Sequence, residues 1–226
     1  MEWEKIAKRI DAALLRADST RGELTLLAEE ASSLGYRGVC VPPYLVTVAK
    51  QLLEGTGIRT CAVIGFPFGY SSLAVKLYEV GHTIRGGADD VDYVVNLSSY
   101  FSDGPEPIMV EADNIVAEAK SYGEKVVKAI IEVGHLNKMQ LTELSQACAS
   151  SGVDYLKTST GFGPRGVTVE DVRTMLAATN GRVPVKAAGG IGNLKQALEI
   201  LEAGASIIGT SHGREIVQEA RGKGHT

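Results

Sequence analysis

Short runs of β-branched and other apolar residues alternate along the chain with longer segments in which apolar residues recur every third or fourth position. The short runs predict strands over residues 9–14, 37–41, 60–65, 91–96, 127–133, 154–158, 183–187 and 206–210. Several are apolar almost throughout, which suits parallel strands covered on both faces. The longer segments carry helix signals. Thr20 with Glu23 makes a capping box, Leu24, Leu27, Ala28, Ala31 and Leu34 share one face, and Gly35 is the stop. Asn137 with Gln140 opens a second helix, apolar at Leu141, Leu144 and Cys148 and closing at Gly152. Asn193 opens a third, with Leu194, Ala197, Leu198 and Leu201 on one side and Gly204 at its end.

Each of these helices is followed within a few residues by the next strand, so the unit is a strand plus a crossover helix. Eight such units in 226 residues predict an α/β protein of the (β/α)8 TIM-barrel type, preceded by a short N-terminal helix. A doubly wound open sheet is the competitor, but it has fewer strands and a glycine-rich first turn. Here that turn reads Arg16-Ala-Asp-Ser-Thr20, without glycine. Neither a Pro/Gly/Ser-rich linker nor a low-complexity tract divides the chain. One barrel domain over residues 1–226 is expected, with residues 221–226 as a frayed tail.

Composition narrows the class. With 44% hydrophobic and 22% charged residues the chain is an ordinary globular protein, neither disordered nor fibrous. A net charge of −4 argues against nucleic acid or an anionic membrane as partner. It leaves room for a small anionic substrate held by local lysines and backbone N–H groups. Cys40, Cys61 and Cys148 form no C-x-x-C pair, so neither a disulfide framework nor a zinc site is expected, and Cys40 and Cys61 read as small core residues. The first residues are charged throughout, unlike a secretory signal, and no apolar run approaches the roughly 18 residues of a bilayer span. A cytoplasmic location is expected.

Candidate chemistry lies at the carboxyl ends of the strands, where barrels of this type carry their sites. Those ends offer Asp92 and Asn96 on strand four, Lys128 and Glu132 on strand five, Lys157 on strand six and Lys186 on strand seven. Charged side chains are almost never buried without a partner. A single buried lysine is explained equally well by a structural salt bridge. Two on adjacent strands beside an aspartate are not favoured by stability alone, because desolvating charges costs more than most pairings return. Such a cluster suits amine catalysis. A lysine attacks a carbonyl as the free base, which a nearby ammonium and partial desolvation favour. Lys157 and Lys186 fit as nucleophile and neighbour, with the spacing leaving open which is which, and Asp92 fits as a proton shuttle.

A phosphate signal accompanies it. Gly189-Gly190-Ile191-Gly192 follows strand seven and Gly209-Thr210-Ser211-His212-Gly213 follows strand eight, each leading into a helix, and barrels hold phosphates between these two loops. The segment 161–166 is a candidate to supply Arg165 or to close over the ligand, and residues 65–69 (GFPFG) to line the pocket. Glu132 is expected to pair with Lys128. The four histidines lack metal-ligand spacing, so no metal is expected, and of them only His212 falls in a predicted active-site loop. No G-x-S-x-G elbow supports hydrolase chemistry.

Tyr155-Leu-Lys157-Thr-Ser-Thr-Gly161, Val185-Lys186-Ala-Ala-Gly-Gly190, Ala88-Asp-Asp-Val-Asp92 and Ile207-Ile-Gly-Thr-Ser211 together resemble the deoxyribose-phosphate aldolases, a class I Schiff-base family, over nearly the whole chain. The resemblance implies that Lys157 forms the Schiff base, Lys186 favours its unprotonated form and Asp92 relays protons. It places Thr160, Gly189, Gly190, Gly209 and Ser211 around the phosphate. The reaction implied is the reversible cleavage of 2-deoxy-D-ribose 5-phosphate into D-glyceraldehyde 3-phosphate and acetaldehyde, a step of deoxyribonucleotide catabolism. Neither metal nor other cofactor is implied, and the protein is expected to be a dimer or tetramer. The Val41-Pro42-Pro43 step resembles archaeal members. Departures are Asp11-Ala12-Ala13 where the family reads Asp-His-Thr, Val133 where threonine is usual, and His212 where a serine is common. The changed first strand keeps open a related lysine aldolase or transaldolase acting on another sugar phosphate. A non-catalytic sugar-phosphate-binding barrel is the third reading, opposed by retention of both lysines and Asp92.

Overall fold

The computed structural model describes residues 2–223. A short first helix, α1 (Trp3–Ala7), leads into alternating elements. These are β1 (Ile10–Ala13), α2 (Arg21–Leu34), β2 (Gly38–Val41), α3 (Val46–Leu52), β3 (Arg59–Ile64), α4 (Leu73–Arg85), β4 (Asp90–Val94), α5 (Leu97–Asp103) and α6 (Glu106–Lys120). They continue with β5 (Val126–Ile130), α7 (Lys138–Ser150), β6 (Tyr155–Lys157), α8 (Val169–Ala178), β7 (Val185–Ala188), α9 (Leu194–Glu202), β8 (Ile207–Thr210) and α10 (Gly213–Lys223). The strands pair in chain order, all parallel, and β1 meets β8 to close the barrel. The expected (β/α)8 architecture is therefore the observed one. The helix signals act as read: Thr20 and Asn137 complete capping boxes with Glu23 and Gln140, and Gly35 ends α2 in the left-handed region at φ 70°. The expected fraying from residue 221 does not extend over α10, which runs to Lys223, and residues 224–226 lie outside the described part.

Successive strand residues point to opposite faces, which splits the barrel chemically. Val91, Tyr93, Val127, Ala129, Leu156, Val185 and Ala187 alternate outward and are buried in the layer between strands and helices. Each large apolar side chain there contributes about 1.5–3 kcal/mol. The alternate positions face inward, and they include Asp11, Asp90, Asp92, Lys128, Lys157 and Lys186, all buried. Gly38 and Gly209 face inward between them. A Cβ at Gly38 would lie 2.9 Å from Asp11 Oδ1, and one at Gly209 would lie 3.2 Å from Lys186 Cε. Inside the barrel, glycine makes room for charge.

Two strands end two or more residues earlier than their apolar runs predict. β5 stops at Ile130 because Glu132 takes a left-handed backbone (φ 55°, ψ 63°) and a 3-10 turn follows over Val133–His135. β4 stops at Val94, and Asn96 accepts from Ser99 N as the cap of α5, so its side chain is spent on a helix end. No helix among the described residues is long and apolar enough to cross a membrane.

Outside the barrel a buried ion pair supports the loops after β3 and β4. Lys76 Nζ donates to Val94 O at 2.7 Å and to Glu111 Oε1 at 2.5 Å, while Glu111 Oε2 accepts from Asn96 N at 3.1 Å. Burial lowers the Lys76 pKa and raises that of Glu111, against the mutual attraction of the two. Removing one partner leaves a buried, uncompensated group. Lys76→Met should therefore cost about 3–5 kcal/mol in urea denaturation, and the double variant with Glu111→Gln should recover a large part of that loss. A double variant as unstable as the single would show that the two side chains are not coupled.

Candidate active site

The inward charges form a closed ring. Arg37, just before β2, donates to Asp11 Oδ1 and to Asp90 Oδ2, both at 2.8 Å. Lys128 Nζ bridges Asp90 Oδ2 at 2.5 Å and Asp92 Oδ1 at 2.9 Å. Lys186 Nζ bridges Asp92 Oδ2 at 2.8 Å and Asp11 Oδ2 at 2.6 Å, returning to the start. Three acids and three bases thus alternate around one circuit. Lys157 attaches to it from outside, its Nζ 2.9 Å from Asp92 Oδ2, and Arg59 reaches Asp90 Oδ1 at 2.5 Å.

Burial would by itself raise the pKa of Asp92. The ammoniums of Lys128, Lys157 and Lys186, with the Lys186 hydrogen bond, outweigh it and hold the carboxyl well below the usual range. Asp11 and Asp90 are lowered in the same way against burial, Asp11 chiefly by Lys186 and Asp90 chiefly by Lys128. Burial would strip the proton from Lys186, but the Asp11 and Asp92 carboxylates reverse the sign and hold its pKa well above that of an ordinary lysine. Lys186 is thereby kept as an ammonium.

Lys157 and Lys186 are register partners on β6 and β7, and with Asp92 the three proposed catalytic side chains meet at one carboxylate oxygen. The expectation of two ammoniums facing each other is modified by that oxygen, which stands between them. The loop after Lys157 is tied down on both sides. Thr158 Oγ1 donates to Ala188 O and accepts from Ala188 N, each at 2.9 Å. Thr160 donates its N–H, at 3.2 Å, and its hydroxyl to Glu132 Oε2. Glu132 accordingly does not pair with Lys128, as its place two turns of the pleat beyond suggested. Its left-handed backbone carries it out of the barrel to the next loop.

A cavity of about 420 Å³ opens among the loops after β1, β6, β7 and β8. Thr160, Gly189, Gly190 and Ser211 line it, as does His212; Gly209 does not, because it lies within β8 beside Lys186. Gly189 and Gly190 adopt φ of 96° and 78°, and a Cβ at 189 would come within 3.2 Å of Ser159 Cβ. Both glycines are therefore backbone requirements of this wall. Arg165 does not join it. Its guanidinium is paired with Asp171 at 2.6 and 3.0 Å and donates to Val133 O. The loop at 65–69 lines a different cavity through Pro67 and Phe68.

The residues missed in the sequence are Asp11, Asp90 and Arg37. Asp11 and Asp90 each interrupt an apolar run as Asp92 does, which is a signal, but only the register across the barrel shows which lysine each one meets. Cys40 and Cys61 are buried as expected, yet Cys61 Sγ lies 3.1 Å from Asp92 Oδ1 and so borders the charged cluster. Among the described residues Cys40, Cys61 and Asp92 form the one set of ligand-type side chains within 4.8 Å of each other. A cation there would face the three ammoniums already on Asp92, so the set does not fit a metal.

A family model described as DeoC/LacD family aldolase matches residues 17–219. A deoxyribose-phosphate aldolase of Thermoanaerobacter sp. (strain X514) is 40% identical over 214 residues, covering 95% of this chain and 96% of that protein. One from Caldicellulosiruptor saccharolyticus is 37% identical, covering 97% of this chain and 100% of the relative. Among solved structures, the deoxyribose phosphate aldolase of Aeropyrum pernix, described as a unique tetrameric structure, superposes with a TM-score of 0.90 at 35% identity, over 97% of this chain and 92% of the other. An aldolase named QR15 gives 0.92 at 36% identity, with 97% of both chains covered.

The depressed carboxylates set an acid limit. A group whose folded pKa lies below its unfolded value stabilises fully above the unfolded value and loses that contribution as pH falls through the folded one. Urea midpoints should therefore hold down to roughly pH 4, the ordinary carboxylate range, and fall steadily below it. In Asp90→Asn the midpoint should be lower at neutral pH and its acid dependence shallower. An unchanged acid slope would mean that Asp90 is not among the carboxylates responsible.

Proposed function

The chain belongs to the DeoC/LacD aldolase family, and from that premise we propose that it cleaves 2-deoxy-D-ribose 5-phosphate reversibly into D-glyceraldehyde 3-phosphate and acetaldehyde through a Schiff base on Lys157. The observation that carries this reading is the convergence of two lysines from neighbouring strands on Oδ2 of Asp92, where the following loops line a cavity of substrate size.

In this reading Lys157 attacks C1 of the open-chain aldehyde in its unprotonated form, and loss of water gives an iminium. The iminium draws electrons as the C2–C3 bond breaks, while the C3 hydroxyl proton leaves. Glyceraldehyde 3-phosphate departs, and an enamine of two carbons remains on Lys157. Protonation at C2 and attack by water on the regenerated iminium release acetaldehyde and the free lysine. Asp92 and Lys186 supply the relay for these protons. Lys186, held charged between two carboxylates, keeps a proton beside the reacting nitrogen throughout. Thr160, Gly189, Gly190 and Ser211 serve the phosphate from the cavity wall, and Gly209 serves it indirectly by leaving room for Lys186.

Two coarser features complete the reading. The tetrameric relative supports a homo-oligomer, dimer or tetramer. The aldolase chemistry on a small phosphorylated sugar suits an enzyme of the cytoplasm.

Borohydride added with acetaldehyde should attach a stable two-carbon mass to the peptide holding Lys157. Label on Lys186 or Lys128 would reverse the assignment of roles. Lys157→Leu should abolish cleavage of deoxyribose 5-phosphate at every pH. Asp92→Asn should lower kcat by roughly 10²–10⁴-fold, the range for loss of a positioned proton-transfer group. A protein that binds the sugar phosphate without cleaving it would instead support the non-catalytic barrel.

A further inference from the structure

A second cavity, of about 240 Å³, lies among the loops after β3, β4, β5 and β6 and shares Thr160 and Phe162 with the first. Its walls are unusual in two ways. Four aromatic rings contribute to it, those of Phe68, Tyr70, Phe101 and Phe162, and all are more than half exposed. Phe68 and Tyr70 stack on one another with centroids 5.4 Å apart. A contiguous exposed apolar surface of this kind marks a place where something binds.

The second feature is Glu132, which also lines this cavity and is only 5% exposed. One of its carboxylate oxygens, Oε2, is occupied by Thr160. The other, Oε1, is buried and has no hydrogen-bond partner. A buried carboxylate oxygen left without a donor is costly, and native structures rarely keep one without a reason. The backbone at Glu132 is moreover held in the left-handed region, which a side chain adopts only when its surroundings over-determine it. Neither of the other titratable side chains on the wall, His135 and Tyr70, makes a bond to Oε1. The chain thus presents an unmet acceptor of negative charge beside aromatic rings. A cation that carries N–H donors and an alkyl body answers both, through a charge-assisted hydrogen bond and through cation–π and apolar contact.

We propose that this cavity is a binding site for a small organic ammonium, whose N–H donates to Glu132 Oε1 and whose body lies against Phe68, Tyr70, Phe101 and Phe162. It is distinct from the sugar-phosphate cavity, and it is joined to the Lys157 loop through the other oxygen of the same carboxylate.

The test is calorimetric titration of the whole protein with butylammonium chloride, with 1-butanol as a neutral probe of the same shape. No substrate is present and nothing turns over, so the result is independent of the aldolase reading. Butylammonium should bind with a Kd of about a millimolar, the scale for a ligand of five heavy atoms. The alcohol should bind at least ~10-fold more weakly. Glu132→Gln replaces the charge by a neutral amide and should weaken butylammonium roughly ten- to a hundred-fold. Phe68→Ala removes an exposed ring that takes no part in holding Thr160, and should weaken it several-fold. Equal binding of 1-butanol overturns the proposal. So does unchanged affinity in Phe68→Ala, even where Glu132→Gln binds nothing.

Discussion

The Asp92 carboxylate, buried in the barrel and receiving three lysine ammoniums, is the interaction on which the remaining arrangement depends. Taking one carboxylate and three ammoniums out of water is prohibitive unless each charge is met at hydrogen-bond distance. The chain meets that condition by extending the cluster into a circuit, with Asp90, Arg37 and Asp11 completing it. Every member of the circuit has two partners of opposite sign. The interior volume then goes to charge, and cohesion passes to the outer layer, where the alternate strand residues meet the helices. Glycines at 38 and 209 follow from the same condition, because a side chain at 38 would collide with Asp11 and one at 209 would crowd Lys186.

Much of this could be read before the structure. The barrel follows from eight short apolar runs separated by capped helices, because such strands need cover on both faces and only a few architectures provide it. Lys157, Lys186 and Asp92 stood out because a charge inside an apolar run must have a partner. What escaped is non-local. Arg37 sits just outside its strand, and Asp11 and Asp90 find their cations on strands far along the chain, so their meaning depends on register around the closed sheet. Glu132 and Asn96 were misread for a different reason. Both continue an apolar run by composition, yet one turns left-handed and the other caps a helix, and neither event leaves a mark in hydrophobic periodicity.

The division between strands and loops is also a division between the proposed reacting groups and the proposed recognition surface. Lys157, Lys186 and Asp92 are set by the barrel and by Thr158, which stitches the ends of β6 and β7 together. The cavity walls come from loops, where Gly189 and Gly190 hold conformations that side chains resist. Such a construction lets the ligand surface differ among relatives while the amine and its carboxylate stay in register. The Thr160–Glu132 contact ties the loop behind Lys157 to the loop after β5, and the edge-on packing of Phe162 against Phe66 ties it to the loop after β3.

The ring also has a polarity along the chain. Its three carboxylates come from β1 and β4 and its arginine from just before β2, in the first half of the barrel, whereas its two lysines and the attached Lys157 come from β5, β7 and β6, in the second. Each half-barrel taken alone therefore exposes an inner face of unbalanced sign: carboxylates only partly answered by arginine on one side, uncompensated ammoniums on the other. Two copies of the same half repel across such a face, and the two different halves attract. The mature barrel is in this sense a heterodimer written as one chain, and its complementarity disfavours the domain-swapped or duplicated half-barrels that repeated β/α units could otherwise form.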